Sequence, residues 1–281
     1  MHDSSARRPM TAARVTALTG GRVIERPDQL ATEEPMEIRV HGPGQAPEPL
    51  AVTMRTPGND FELGVGFCIS EGVIRSADDL ATVAYCLGPE GGEQEFNIVT
   101  VRLRAPVDLA GRERHFAANA SCGLCGKATL DQLEVSCAPV GDGPVLTRSV
   151  LVDLPDRLRA AQTVFDRTGG LHAAACFATD GTLTVLREDV GRHNAVDKIV
   201  GWAAFERRLP LSDQVLVVSG RVSFEIVQKA AVAGIPIVCA VSAPSSLAVE
   251  AGSRFGQTIV GFVRDGRANV YTRPERIDPG V

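Results

Sequence analysis

The chain has 281 residues, of which 44% are hydrophobic, and a net charge of −5 at pH 7. This acidic balance excludes a nucleic-acid partner held by bulk charge, although it leaves room for a local anion pocket. No apolar run reaches the roughly 20 residues that a membrane-spanning helix needs. Seven cysteines, an odd number, and an amino terminus without an apolar signal core indicate reduced thiols and a cytoplasmic location.

The first part of the chain predicts a small β-rich domain. Residues 1–19 are polar and predict a disordered tail. A helix is predicted from Asn59 or Asp60, since either side chain is a good N-terminal cap. Apolar residues between turn-forming segments predict strands at 36–40, 50–55, 82–86 and 97–103. We therefore expect a small α+β domain over residues 20–116.

A connection over residues 117–150 contains the segment S-C-G-L-C-G at 121–126. The spacing of Cys122 and Cys125 is one that commonly lowers a thiol pKa and yields a reactive thiolate. The glycine after each cysteine predicts an open loop, not a packed core. Three interpretations stay open: a cysteine that carries sulfur covalently, a dithiol oxidoreductase, and a zinc-stabilised interaction module.

The zinc interpretation needs a second pair of ligands, which the sequence does not supply at ligand spacing. We therefore expect no tightly bound structural metal. The dithiol interpretation needs a helix that opens at the cysteine pair, and residues 127–133 are compatible with one.

In residues 151–281, apolar runs alternate with helical segments, and this pattern predicts an α/β domain. Two near-continuous apolar runs, each followed by a helical segment, are typical of buried parallel strands. A helix is predicted to begin at Pro155 and to stop at Gly169. The remaining predicted elements are a hairpin at 171–186, a helix at 192–207, strands at 213–218 and 235–241 with their helices, and a final hairpin at 258–271. The order predicts a sandwich whose central strands are partly parallel.

The loops after the two apolar strands are candidate anion sites. Ligands of open α/β sheets bind at the carboxyl ends of strands, where the N–H groups of a following helix face an anion. Candidate contacts are Ser219 and Arg221 in the first loop and Ser242 and Ser245 in the second. Each loop alone is also ordinary helix capping, but two on one edge favour a phosphate-bearing ligand.

Residues 188–198 form the densest polar segment of the chain. Arg192, His193 and Asn194 are predicted to lie in the first turn of a helix, where donors and acceptors converge. Such a set suits a guanine base or a phosphate. The alternative is a capped and solvated helix start.

Five motifs stand out along the chain: S-C-G-L-C-G at 121–126, T-G-G-L-H at 168–172, R-E-D-V-G-R-H-N-A-V-D-K at 187–198, S-G-R at 219–221 and S-A-P-S-S-L-A at 242–248. Taken together, they resemble the formate dehydrogenase accessory sulfurtransferase (FdhD) family over nearly the whole chain. The resemblance implies a cytoplasmic homodimer that accepts sulfur from a cysteine desulfurase. It further implies transfer of that sulfur to the bis(molybdopterin guanine dinucleotide) molybdenum cofactor before insertion into formate dehydrogenase.

The resemblance also implies roles for particular residues. Cys122 would carry the sulfur as a persulfide, and Cys125 would assist its release or tune its reactivity. The carboxyl-terminal half would have a cytidine-deaminase-like fold without deaminase activity, because the proton-shuttling glutamate of zinc deaminases is missing here. The residues implied to line the cofactor are Phe262, Val263, Arg264, Asp265, Gly266 and Arg267.

Overall fold

The computed structural model describes residues 8–87, 94–109 and 139–280. The 121–126 segment, with both cysteines of the predicted catalytic pair, lies outside these residues. Within the described ranges, no helix is long and apolar enough to cross a membrane.

The described chain forms these strands and helices. The strands are β1 (Met10–Thr19), β2 (Arg22–Ala31), β3 (Glu34–His41), β4 (Glu48–Arg55), β5 (Leu80–Leu87), β6 (Gln94–Leu103), β7 (Leu146–Thr147), β8 (His172–Phe177), β9 (Leu183–Asp189), β10 (Val215–Val218), β11 (Ile237–Ala240), β12 (Thr258–Arg264), β13 (Arg267–Val270) and β14 (Ile277–Asp278). The helices are α1 (Asp60–Ser70), α2 (Arg148–Ala161), α3 (Thr163–Thr168), α4 (Arg192–Phe205), α5 (Phe224–Val232) and α6 (Ser246–Arg254).

A six-stranded sheet organises the carboxyl-terminal half in the order β13-β12-β11-β10-β8-β9. Strands β10, β11 and β12 are parallel to one another, whereas β8, β9 and β13 pair antiparallel with their neighbours. Every residue of β10 and β11 is buried, as expected for short apolar strands covered on both faces. The predicted α/β class, with partly parallel central strands, is confirmed.

A second sheet of four strands, in the order β4-β3-β6-β5, belongs to the amino-terminal half. The strands predicted at 36–40 and 50–55 are β3 and β4, which pair antiparallel, and β6 joins β3 in parallel. Helices α1 and α4 lie between the two sheets. A single hydrophobic cluster runs from this sheet, through both helices, to one face of the six-stranded sheet. The two predicted domains therefore share a core.

Helices α1 and α4 pack backbone against backbone because a glycine of each faces the other helix. A Cβ atom added at Gly66 would lie 1.8 Å from the carbonyl oxygen of Asp197, and one added at Gly201 would lie 1.8 Å from that of Glu62. Neither position has room for any side chain. This contact brings the amino-terminal sheet close to the carboxyl-terminal half.

Helix α2 covers the other face of the six-stranded sheet. It begins at Arg148, so the prediction that Pro155 opens this helix is wrong. Proline inside a helix removes one backbone hydrogen bond. Here Leu151, Leu154 and Leu158 are buried against the sheet on either side of the proline, and their burial outweighs that loss. The short helix α3 follows and ends at Gly169, where φ is 66°.

The predicted disordered tail over residues 1–19 is wrong for its second half, because β1 pairs with β2 in an antiparallel hairpin. Gly20 and Gly21 connect the strands with φ values of 57° and 77°. Positive φ at both central residues is the signature of the two-residue turn that best fits strand twist. The Gly20-Gly21 pair is the sequence signal for this hairpin, but the polar residues on either side hide the strand pattern.

Candidate functional site

A cavity of about 760 Å³ lies at the edge of the six-stranded sheet where β9, β10, β11 and β12 end. Open α/β sheets bind ligands at this edge. The volume falls within the range of about 300–1,000 Å³ that is typical of small-molecule pockets. The residues that line the cavity from the sheet edge are His172, Val190, Ser219, Val241 and Val263. Helices α2 and α3 and the β12–β13 turn supply the remaining walls.

The β12–β13 turn supplies three further lining residues, Arg264, Asp265 and Gly266. Asp265 and Gly266 occupy the two central positions with φ values of 51° and 70°. The register between β12 and β13 shifts between Gly261 and Arg264, so the strand bulges there. Bulges of this kind redirect side chains and often lie next to active sites. Of the six residues implied by the resemblance, the cavity therefore includes four, with Val263 as the fourth.

Phe262 sits inside the bulge with a φ of 54°, which is uncommon for a bulky side chain. Its backbone N–H donates a hydrogen bond to the carbonyl oxygen of Ser242 over 3.1 Å, and this contact holds the bulge against the neighbouring loop. The guanidinium carbon of Arg264 lies 5.6 Å from the centre of the Phe262 ring. Phe262 thus supports the turn, and neither it nor Arg267 lines the cavity.

His172 and Ser219 meet where β8 begins and β10 ends. The hydroxyl oxygen of Ser219 accepts a hydrogen bond from the backbone N–H of Ala173 over 2.9 Å. Burial lowers the pKa of His172, and the nearby charges of Arg192 and His193 lower it further. The imidazole is therefore neutral at neutral pH. Sequence reasoning does not select His172 as a ligand contact, because a single histidine without a partner at ligand spacing carries little signal.

Asn194 serves the fold and does not line the cavity. Its side-chain nitrogen donates to the carbonyl oxygen of Met54 over 2.8 Å and to a carboxylate oxygen of Asp189 over 3.0 Å. Asp189 also pairs with Lys198 over 2.7 Å, and both side chains are buried. Lys198 donates in turn to the carbonyl oxygen of Thr56 over 3.0 Å. The dense polar segment therefore ties the end of β4 to the start of α4.

His193 and Arg192 also lie beside the cavity and not in its wall. The Nε2 atom of His193 is 3.0 Å from the hydroxyl of Ser223 and 2.8 Å from a carboxylate oxygen of Glu225. A Cβ atom added at Gly220 would lie 3.7 Å from the Cδ of Arg192, which places that arginine against the loop after β10.

Of the four loop residues predicted to contact phosphate, Ser219 alone lines the cavity. The hydroxyl of Ser245 accepts from the backbone N–H of Ala248 over 3.2 Å, so it caps α6. The backbone carbonyl oxygen of Ser242 accepts the hydrogen bond from the backbone N–H of Phe262. Arg221 is exposed.

Three described cysteines are unsuited to sulfur chemistry. Cys68, Cys176 and Cys239 are completely buried. Burial raises the pKa of all three thiols, to about 12 for Cys68 and Cys176. A protonated, buried thiol is inert, because the thiolate is the nucleophile. These three side chains therefore do not compete for the role predicted for Cys122 and Cys125.

The fold and the cavity define an α/β protein with a cavity of small-molecule size at the carboxyl edge of its main sheet. Residues 31–278 match the model of the FdhD/NarQ family, and the chain belongs to that family.

Similar proteins support this assignment over nearly the full length. The sulfur carrier protein FdhD of Streptomyces coelicolor is 52% identical over 270 residues, which cover 94% of each chain. The protein of that name from Mycolicibacterium paratuberculosis is 49% identical over 269 residues, which cover 94% of this chain and 97% of the relative. A crystal structure from Desulfotalea psychrophila, described as a candidate formate dehydrogenase accessory protein, has the same fold. Its TM-score is 0.71 at 24% identity, and the match covers 96% of this chain and 99% of that one.

Proposed function

We propose that this protein is a cytoplasmic, homodimeric sulfur carrier needed for formate dehydrogenase activity. It accepts sulfur from a cysteine desulfurase and transfers it to the bis(molybdopterin guanine dinucleotide) molybdenum cofactor, which is its substrate. Similarity over nearly the full length to relatives named sulfur carrier proteins supports sulfur as the group that is carried. The structural observation that carries the proposal is the cavity of about 760 Å³ at the carboxyl edge of the sheet, which offers the acceptor a binding site.

The sulfur chemistry belongs to Cys122 and Cys125. In the first step the Cys122 thiolate attacks the outer sulfur of the donor's persulfide. A new S–S bond forms on Cys122, the donor's S–S bond breaks, and the donor departs as its thiolate. In the second step the Cys125 thiolate attacks the Cys122 sulfur, and the outer sulfur leaves as hydrosulfide toward the acceptor. The resulting disulfide returns to two thiols by exchange with a dithiol reductant.

The acceptor carries pyrophosphates and guanines, and the cavity has groups that suit them. Arg264 provides a guanidinium, which pairs well with phosphate oxygens. The tight turn at Asp265 and Gly266 leaves backbone close to a ligand, since Gly266 has nothing within 4 Å of its Cβ position. Ser219 and the neutral His172 add a hydroxyl and an imidazole at the strand ends.

Intact mass spectrometry tests the carrier step. Incubation with a cysteine desulfurase and cysteine should add about 32 Da, one sulfur atom, to the wild-type chain. Cys122→Ala should lose this adduct, whereas Cys125→Ala should keep it and fail to release sulfide. An adduct that persists in Cys122→Ala would remove this cysteine from the carrier role.

Calorimetry with GDP and ADP tests the acceptor site. We expect GDP to bind and ADP to bind at least about tenfold more weakly, because the two bases present different donor and acceptor edges. Equal affinity for both nucleotides would mean that the site binds phosphate without recognising guanine.

A further inference from the structure

The β1–β2 hairpin is a two-stranded sheet that joins no other sheet within the described residues. A hairpin of two strands is at best marginally stable in water, and independent stability needs a third strand or a packed face. Strand β2 lies against α3, and the Cβ atom of Ala31 is 3.2 Å from the position that a Cβ atom would take at Gly170. This contact attaches the hairpin to the rest of the molecule through β2. The edge of β1 is therefore open to a further strand.

The turn end of the hairpin exposes large apolar side chains on both faces. Leu18 and Val23 are cross-strand partners on one face, and they are 80% and 70% exposed. Ile24 lies on the other face and is 46% exposed. Adjacent exposed apolar side chains, unlike scattered ones, mark an interaction surface.

The glycine turn determines which backbone groups of each strand face outward. Thr19 and Arg22 flank this two-residue turn, whose φ values are both positive, and the geometry makes them a hydrogen-bonded pair. Hydrogen-bonded and non-hydrogen-bonded pairs then alternate along the ladder, which has no register shift. The backbone N–H of Thr32 donates to the carbonyl oxygen of Pro9 over 2.9 Å, in agreement with this alternation. Outward backbone groups therefore belong to the even-numbered residues of β1 and the odd-numbered residues of β2.

The two outward edges differ in their capacity to pair with another strand. On β2, the outward residue Pro27 has no N–H, and the strand carries four charged residues, Arg22, Glu25, Arg26 and Asp28. Proline and charge are devices that protect an edge strand from pairing. Strand β1 is ten residues long, contains no proline and has one charged residue, Arg14. A long edge of this kind is a template for a further strand.

Building on the homodimer of the proposed function, we propose that the outward edge of β1 pairs antiparallel with β1 of a second copy. The two hairpins then form a four-stranded sheet in the order β2-β1-β1-β2, which exceeds the two strands that are marginal alone. A two-fold interface uses the same patch of both copies, and two identical antiparallel strands meet this condition.

The size and the charge of the hairpin suit a second copy of the chain. Its two ten-residue strands supply about the 20–30 residues per partner that a stable interface contains. Leu18 and its exposed neighbours pack beside side chains of the second β1. A small offset between the strands keeps the two Arg14 side chains apart, so like charges do not face each other.

Matched proline substitutions at one position of the ladder test this interface. Thr16 and Glu25 are cross-strand partners, and both face outward. Thr16→Pro removes an outward N–H from β1 and should raise the Kd of the dimer about tenfold or more, since a hydrogen bond is lost from each copy. Glu25→Pro makes the same change on the edge of β2 and should leave the Kd unchanged. Sedimentation equilibrium of the full chain measures the Kd, and circular dichroism melting shows that both variants fold.

Residue-resolved hydrogen exchange of the wild-type chain gives a second measurement. The outward amides of Ala12, Thr16 and Leu18 should be protected in the dimer and should exchange about tenfold faster or more once dilution separates the copies. The outward amides of Glu25 and Gln29 on β2 should exchange at the same rate at both concentrations.

A dimer that Thr16→Pro weakens no more than Glu25→Pro would overturn this inference and leave the homodimer of the proposed function in place. A dimer whose outward β1 amides exchange as fast as those of β2 would do the same. Wild-type protein that sediments as a monomer at every concentration would overturn the inference together with the homodimer, while sulfur transfer by Cys122 and Cys125 would stand.

Discussion

The two faces of the six-stranded sheet differ in whether their buried polar groups are paired. On the face toward α1 and α4, buried charges are paired: Lys229 lies 2.9 Å from Asp197, and Lys198 lies 2.7 Å from Asp189. On the face toward α2, the side-chain nitrogen of Gln162 is buried and has no partner within the described residues. Paired buried charges hold this fold together, whereas unpaired groups beside a cavity are available to a ligand.

The largest expected effect comes from the helix contact on the paired face. Gly201→Ala would place a Cβ atom 1.8 Å from the carbonyl oxygen of Glu62, so α1 and α4 must separate. We expect the free energy of unfolding to fall by roughly 4 kcal/mol or more. Urea unfolding followed by circular dichroism measures this change. The control is Gly141→Ala, where a Cβ atom would meet nothing within 4 Å. Equal stability of Gly201→Ala and wild type would contradict the close helix packing.

Removing one charge from the paired face should have the next largest effect. Lys229→Met leaves Asp197 buried without its cation, and breaking such a pair costs about 3–5 kcal/mol. The double variant with Asp197→Leu should recover part of this loss, because the fully buried carboxylate is removed and only the partly exposed Glu71 lacks its cation. A loss in Lys229→Met below about 1 kcal/mol would show that the pair is not buried as described.

The pH dependence of the same pair has a defined sign. Burial lowers the pKa of Lys229, but the carboxylates of Asp197 and Glu71 outweigh burial and hold the pKa above its usual value. The charged lysine therefore stabilises the native state fully below its unfolded pKa of about 10.4, and this stabilisation is lost as the pH rises further. The stability difference between wild type and Lys229→Met should stay constant from pH 7 to about pH 10.

On the cavity face, a change should affect binding and spare stability. Arg264→Ala should weaken GDP about tenfold, since a charge-assisted contact to phosphate is lost. The free energy of unfolding should change by less than about 0.5 kcal/mol, because Arg264 is exposed. Arg221→Ala is the matched variant: it removes an exposed arginine that does not line the cavity. A larger loss of GDP affinity for Arg221→Ala than for Arg264→Ala would place the phosphates elsewhere.

The smallest expected effect is an absence of reaction. Iodoacetamide at pH 8 should leave Cys68, Cys176 and Cys239 unmodified in the folded chain, because burial keeps these thiols protonated. Peptide mass spectrometry before and after unfolding in urea measures the difference. Rapid labelling of any of the three without urea would mean that the core opens locally.

The fold was largely predictable from the sequence because its central strands are continuous apolar runs and its turns contain glycine. The β12–β13 hairpin was predictable for the same reason. The true start of α2 was not, because a buried proline is tolerated there only through packing of Leu151, Leu154 and Leu158 on the sheet. That packing is tertiary and leaves no local signal at Pro155.

The site was predictable only in part. The segment that closes the cavity, Val263–Gly266, was implied by the family resemblance. In the dense polar segment at residues 188–198, Asn194 and Lys198 bind protein groups, and the ligand contacts predicted for Arg192 and His193 stay a prediction. Gln162 was missed because its unpaired state exists only once two helices and the sheet edge surround it. Charge density in a sequence indicates polar contacts but does not tell whether the partner is protein or ligand.

Strand β14 pairs in parallel with β7, where Ile277 lies beside Leu146, directly before α2. Buried Arg276 strengthens this tie by donating to the carbonyl oxygens of Gly141 and Gly256. The cavity wall at residues 152–172 is therefore anchored by residues that the ribosome makes more than a hundred positions later. The amino-terminal sheet and α1 share their core with α4, so this half of the molecule also depends on residues that are made later. A chain that ends before β14 would lack the strand pair that anchors this wall, so the complete cavity requires synthesis through β14.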